Sequence, residues 1–170
     1  GGAGTDTLNG AAVTANATVT YTNGGGSFNS TAGNAGFTGI ETLTTGSGND
    51  VINASANTAT GVTFNTGAGS DTITGGTVAE TIDAGDGNDQ INLGVSYGND
   101  TITGGAGTDT LNGAAINANA TVTFTNGSGS LNSTGGNATF NTIETITTGS
   151  GNDVINATNN TVAGASFNTG

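Results

Sequence analysis

Apolar residues in this chain come singly and two apart. In ATVTYTN (17–23), GIETLT (39–44), ATVTFTN (120–126) and TIETIT (142–147), aliphatic or aromatic side chains alternate with polar ones, the period of a half-buried strand. No stretch carries a helical period. From Thr66 to Asn112 the pattern becomes stricter, reading TGAGSDTIT, GGTVAETID, AGDGNDQIN, VSYGNDTIT and GGAGTDTLN, with Leu93-Gly94 inserted before the fourth unit. Each nine-residue unit has a turn of six residues with an acid at the sixth place and an aliphatic residue at the eighth.

One such unit buries too little to stand alone. Stacked as successive coils, Ile73, Ile82, Ile91, Ile102 and Leu111 line one interior, with parallel strands about 4.8 Å apart. Two units make a coil, so turns alternate between two edges. Turns at 45, 66, 84 and 104 fall on one edge and those near 54, 75 and 95 on the other. Crossovers of this kind are expected to be right-handed.

A longer period overlies the short one. Residues 1–67 align without gaps on residues 104–170, with 51 of 67 positions identical. Val13 exchanges with Ile116, Tyr21 with Phe124, Phe28 with Leu131 and Leu43 with Ile146, which marks these as inward positions where size varies and polarity does not. The chain is therefore expected to be one continuous solenoid segment, 1–170, with a first long repeat at 1–103 and a partial second at 104–170. GGAGTDTLN opens each copy, the pattern lapses over 10–44 and 113–147, and it resumes as TGSGNDVIN at 45–53 and 148–156. Three half-coils of roughly twelve residues are expected in each lapse, and one more, without a metal, in ASANTATGVTFN (54–65). The 103-residue period would then hold about ten half-coils, rising about 24 Å.

Charge changes this picture from scaffold to ligand. The chain has 12 acids and no Lys, Arg or His. Nucleic acid and anionic lipid, which need basic side chains, are excluded as partners. Uncompensated carboxylates repel one another unless a cation belongs to the structure, and calcium, a hard ion preferring oxygen, suits a chain without Cys or His. The 33 Gly make an unliganded fold entropically costly, so a disordered metal-free state is expected. No apolar run is long enough to span a bilayer and no signal-peptide pattern occurs. The chain starts and stops on Gly within a repeat, as expected of a piece of a longer protein.

The sixth-position acids then form columns. Asp50, Asp71, Asp89 and Asp109 stack on one edge, and Glu80 over Asp100 on the other. Four calcium sites are expected between neighbours, with half-sites at Asp6 and Asp153. Backbone carbonyls of the turns complete the oxygen shell, including those of Gly46, Gly48, Gly67, Gly69, Gly85, Gly87, Gly105 and Gly107. Four ions would offset eight of the nine carboxylates in residues 1–103. Asp83 and Asp86 lie outside the sixth position and are expected to be solvated. Glu41 and Glu144 are expected to satisfy a hydrogen-bond need at a strand edge rather than to bind metal. The string from Asp83 to Asp89 is not an EF-hand loop, because its twelfth position is Gly94 and no helices flank it.

These units resemble the hemolysin-type calcium-binding repeat, or RTX, family, whose pattern is G-G-x-G-x-D-x-U-x. GGAGTDTLN matches every specified position. TGSGNDVIN, TGAGSDTIT and AGDGNDQIN depart only at the first Gly, GGTVAETID has Val78 and Glu80, and the turn ending at Asp100 has Val95 and Ser96 for the paired Gly. The resemblance covers roughly half the chain, and the intervening segments, GIETLTTGSGND in particular, resemble linking rungs of long bacterial and cyanobacterial surface members. The residues read as an all-β chain, two units to a coil with no closing cap, and the resemblance implies a parallel β-roll or β-solenoid with calcium-binding turns. It also implies export and folding on external calcium.

The expected function is structural: a calcium-locked extracellular rod in a surface fibre, adhesin or layer, with end-to-end or lateral self-association. An enzyme is not expected, since there is no His, Cys, Lys or Arg to act as base, nucleophile or oxyanion donor. The rivals are a secretion and folding tail of an exported hydrolase and an ice-binding solenoid. The second is suggested by TVTYT, TLTT and TFNT, although the register assigned above gives no regular outward rows of Thr.

Overall fold

A computed structural model describes residues 1–59, 61–161 and 164–170. Thr60, within the 54–65 segment, and Val162 and Ala163, in the second long repeat, lie outside the described residues. Among the described residues every regular element is a strand. The first repeat opens with β1 (Thr7–Val13), followed by β2 (Ala17–Thr22), β3 (Gly25–Ser30) and β4 (Gly33–Phe37). The chain then alternates through β5 (Thr42–Gly46), β6 (Val51–Asn53), β7 (Thr63–Gly67), β8 (Thr72–Thr74), β9 (Thr81–Asp86), β10 (Gln90–Asn92), β11 (Gly98–Ala106) and β12 (Thr110–Asn112). The second copy continues with β13 (Thr121–Thr125), β14 (Ser128–Ser133), β15 (Gly136–Asn141), β16 (Thr145–Thr147), β17 (Val154–Asn156) and β18 (Ser166–Asn168).

Two sheets form a flattened β-roll. The first runs β1-β5-β7-β9-β11-β15-β14-β13-β17 and the second β18-β16-β12-β10-β8-β6-β2-β3-β4. Successive nonapeptides feed opposite sheets, and each strand pairs in parallel with the one a full coil later: Ile52 with Ile73, Ile73 with Ile91, Ile91 with Leu111. The single inward side chain of each strand meets its counterparts along the roll. Ile73, Ile82, Ile91, Ile102 and Leu111 are all at most 1% exposed, as their spacing predicts. Each such side chain gains about 1.5–3 kcal/mol on burial, too little alone but cumulative along the ladder. Tyr21 meets Phe64 edge-on at 5.4 Å, and Phe124 meets Phe167 at 5.1 Å, so both copies pin their two sheets with the same aromatic pair.

The 35-residue lapses are not three half-coils. Each contains a three-stranded antiparallel meander: β2-β3-β4 in the second sheet, and β13-β14-β15 in the first. The cause is local. Asn23-Gly24 and Asn126-Gly127 connect Thr22 to Gly25 and Thr125 to Ser128 as two-residue turns with positive φ at both positions, 50° and 82° in the first and 52° and 82° in the second. That is the conformation whose twist matches a hairpin, so the chain folds back within its sheet instead of crossing.

This changes the count. One 103-residue period spans nine half-coils, with the meander counted once, not ten. An odd number places equivalent residues on opposite sheets. β1 lies in the first sheet and its copy β12 in the second, and the two meanders likewise exchange sheets. The expected absence of outward Thr rows is also overturned: register partners on the outer side of the first sheet are Thr7, Thr42, Thr63, Thr81 and Thr101 in succession.

Candidate metal centre

In a strand, residues two apart face the same way. The sixth-position acid stands two places before the buried aliphatic, so Asp71 points inward with Ile73, and Asp89 with Ile91. The acid ends up at the edge of the interior, where the turn closes the coil. Exposure is at most 2% for Asp50, Asp71, Glu80, Asp89, Asp100 and Asp109.

Each acid is tied to the coil before it. The backbone N–H of Asp50 donates to Asp71 Oδ1 at 2.7 Å, that of Asp71 to Asp89 Oδ1 at 2.7 Å, and that of Asp89 to Asp109 Oδ1 at 2.9 Å. The column extends one step at either end, from Ala17 N–H to Asp50 Oδ1 and from Asp109 N–H to Glu144 Oε2. On the other edge, the N–H of Glu80 donates to Asp100 Oδ1 at 2.9 Å. The structure thus brings together every pair the alternation predicts and separates the two columns.

Asp6 and Asp153 stand at the ends. The Asp6 N–H donates to Glu41 Oε2 at 2.9 Å, which places Asp6 on the edge of Glu80 and Asp100, opposite its copy Asp109. Asp153 Oδ1 accepts from Ala120 N–H, repeating the Asp50–Ala17 contact. Glu41 and Glu144 accept backbone N–H groups, as expected, but they do so in the acid columns themselves, following a loop shorter than a nonapeptide turn. Asp83 and Asp86 are exposed.

One feature fits a hard cation. The second oxygen, Oδ2, of Asp50, Asp71, Asp89, Asp100, Asp109 and Asp153 is buried without a hydrogen-bond partner. A charged carboxylate so placed costs several kcal/mol unless a counter-charge meets it. The turns also pack closely on one another, and Gly46 O, expected as a metal donor, accepts the Ala68 N–H of the next coil at 3.0 Å. A Cβ on Gly67 would strike Gly46 O, one on Gly85 would strike Gly67 O and one on Gly105 would strike Gly85 O; the pairs Gly69–Gly48, Gly87–Gly69 and Gly107–Gly87 repeat this two residues on. Only a turn without side chains at those places lets each carbonyl reach the next coil. The edge of Glu80 is built differently, with Asn57 O against Gly76 and Val78 O against Gly98. The buried carboxylate oxygens of the Asp50–Asp109 edge therefore suit a hard cation such as calcium.

Burial pushes Asp71, Glu80, Asp89, Asp100 and Asp109 toward the protonated form. Desolvation raises Asp89 to about 6, opposed by the Asp71 N–H and assisted by the charges of Asp71 and Asp109. It raises Glu80 and Asp100 to about 7 each, against the hydrogen bonds they accept. Asp71 and Asp109 shift upward for the same first cause.

Sequence reasoning missed three supports. Thr45 and Thr66 replace the first Gly of their units, and their buried hydroxyls donate to Thr66 O at 2.9 Å and Ala84 O at 2.7 Å. The departure from the Gly pattern is thus a ladder of its own. Asn57, fully buried, donates to Glu80 Oε1 at 3.2 Å from the turn one coil earlier. Tyr97 replaces a turn residue of the fourth unit and anchors that turn to the second meander, its hydroxyl 2.9 Å from Gly136 O and 3.0 Å from Ser133 Oγ.

The family model for the RTX calcium-binding nonapeptide repeat matches four stretches, residues 35–58, 65–95, 95–115 and 139–168, more than half of the chain. Searches of curated proteins and of solved structures each found no significant match.

Proposed function

Because the chain belongs to the RTX calcium-binding nonapeptide repeat family, we propose that this calcium-stabilised structural repeat is a rod segment of a long extracellular bacterial protein, in a surface fibre, adhesin or surface layer. The observation that supports this most is the Asp50–Asp71–Asp89–Asp109 column, whose buried Oδ2 atoms line successive coils. Such a column has no natural end. Each added coil meets the one before it through the same strand register, so the architecture lends itself to length rather than to a closed domain. External calcium is plentiful where cytosolic calcium is scarce, which suits a chain that folds after export.

In this reading the segment has no catalytic role and its carboxylates serve the metal. Rods associate into filaments, without nucleic-acid or membrane-inserted partners. The 103-residue recurrence favours a fibre over the tail of an exported hydrolase, which would need only one compact block of nonapeptides. Antibodies against this chain, applied to intact cells of the source bacterium, are expected to decorate surface filaments. Recovery of the antigen only from the medium, attached to a soluble hydrolase, would overturn the reading.

A further inference from the structure

The outward side of the first sheet carries a two-dimensional array. Thr7, Thr42, Thr63, Thr81, Thr101 and Thr139 are register partners across six successive parallel strands. Two residues further on, Asn9, Thr44, Asn65, Asp83, Thr103 and Asn141 form a second rank in the same register. Ser130 and Thr123 continue the first rank into the meander. In that rank Thr7, Thr81, Thr101 and Thr139 are exposed, and Thr42 and Thr63 half-buried.

The spacing is set by the backbone: about 4.8 Å along a rank, and about 6.7 Å between ranks two residues apart. Thr is stiff at χ1, so its methyl and hydroxyl are held in place before any ligand arrives. The array is almost neutral, since Asp83 is the one acid on it in a chain of 12. It is also small. Six strands and two ranks present roughly 200–300 Å², well below the roughly 800 Å² per partner of a stable protein interface. A ligand suited to a small, neutral, regular face is one that repeats on the same scale and engages many weak points at once.

We propose that this face binds ice. The hydroxyls and amides anchor water molecules while the Thr methyls fill the spaces between them, ordering a layer on the scale of the hexagonal ice lattice. The proposal requires the folded coil stack but is independent of where the parent protein resides. The second sheet supplies an internal control. Its corresponding rank, Thr18, Val51, Thr72, Gln90, Thr110 and Thr145, is broken by Val51 and Gln90.

The test is thermal hysteresis and ice-crystal shaping by the calcium-loaded chain, beside Thr81→Tyr on the first rank, Thr103→Tyr on the second and Thr72→Tyr on the opposite sheet. Circular dichroism confirms that each variant folds, and two first-sheet variants guard against one failing to do so. The wild type and Thr72→Tyr are expected to shape ice and depress freezing equally, and each first-sheet variant to lose about ten-fold of that activity, because one bulky side chain lifts neighbouring anchors from the surface. Unshaped crystals with the wild type, first-sheet variants as active as the wild type, or an equal loss in Thr72→Tyr would overturn the proposal.

Discussion

The backbone N–H of Asp71 donates to Oδ1 of Asp89, eighteen residues later, over 2.7 Å, while Asp89 Oδ2 is buried with no partner. One carboxylate oxygen holds the coils in register and the other is placed where a cation would meet it. Asp89→Asn preserves the acceptor and removes the charge. It is expected to raise the calcium concentration for half-folding about ten-fold, equivalent to about 1.4 kcal/mol, because Asp89 stands between Asp71 and Asp109. Asp89→Ala should cost more, since it also orphans the Asp71 N–H. A calcium titration followed by far-UV circular dichroism checks both; an unchanged midpoint in Asp89→Asn would count against a ligand role.

Asp89, raised to about 6, and Glu80 and Asp100, raised to about 7, give the metal-free fold a definite pH dependence. These groups bind protons more tightly folded than unfolded, where carboxyls titrate near 4. Stability of the metal-free fold therefore falls as pH rises from about 4 to 7 and is lowest above that window. Calcium binds the charged form, so its affinity rises through the same window. In calcium-stripped buffer, strand content should be greater at pH 5 than at pH 8, with calcium affinity ordered the opposite way. Identical strand content at both pH values would contradict this.

Gly85 has φ of +94° and sits against Gly67 O, whereas Gly2 has nothing within 4 Å of its Cβ position. Gly85→Ala should destabilise the calcium-loaded state by at least the 1–3 kcal/mol typical of backbone strain, with the clash in addition. Gly2→Ala should be near neutral. Thermal melts at saturating calcium distinguish them, and equal melting temperatures would mean that the turns do not stack as described.

Tyr97 ties the fourth nonapeptide to the second meander through its hydroxyl. Tyr97→Phe keeps the ring and should lower stability by about 1–3 kcal/mol, the cost of leaving buried acceptors unmet. Denaturant unfolding at fixed calcium measures it. No change would show that the hydroxyl contacts contribute nothing net.

Much of this arrangement was legible from spacing. Nine-residue periodicity fixes which residues face in, so Ile73, Ile82 and Ile91, and with them Asp71, Glu80 and Asp89, could be assigned to edges before any coordinates. The meanders were not legible from period alone, because ATVTYTN alternates the same way whether its neighbour is parallel or antiparallel. The signal was there in Asn23-Gly24 and Asn126-Gly127, a pair that favours a hairpin turn between alternating strands. Missing it gave an even number of half-coils and put the two copies on the same face. Thr42, Thr63, Thr81 and Thr101 already share a sheet in the register read from spacing, but Thr7 joins their rank only once the meander is counted as one half-coil.

Calcium between stacked turns is expected to hold this chain in its fold. Far-UV circular dichroism of the 170-residue chain at neutral pH, first in excess EGTA and then with saturating calcium, tests it most directly. A disordered spectrum is expected to convert to a strand spectrum on calcium addition and to revert with chelator. A strand spectrum unchanged in excess EGTA would contradict it.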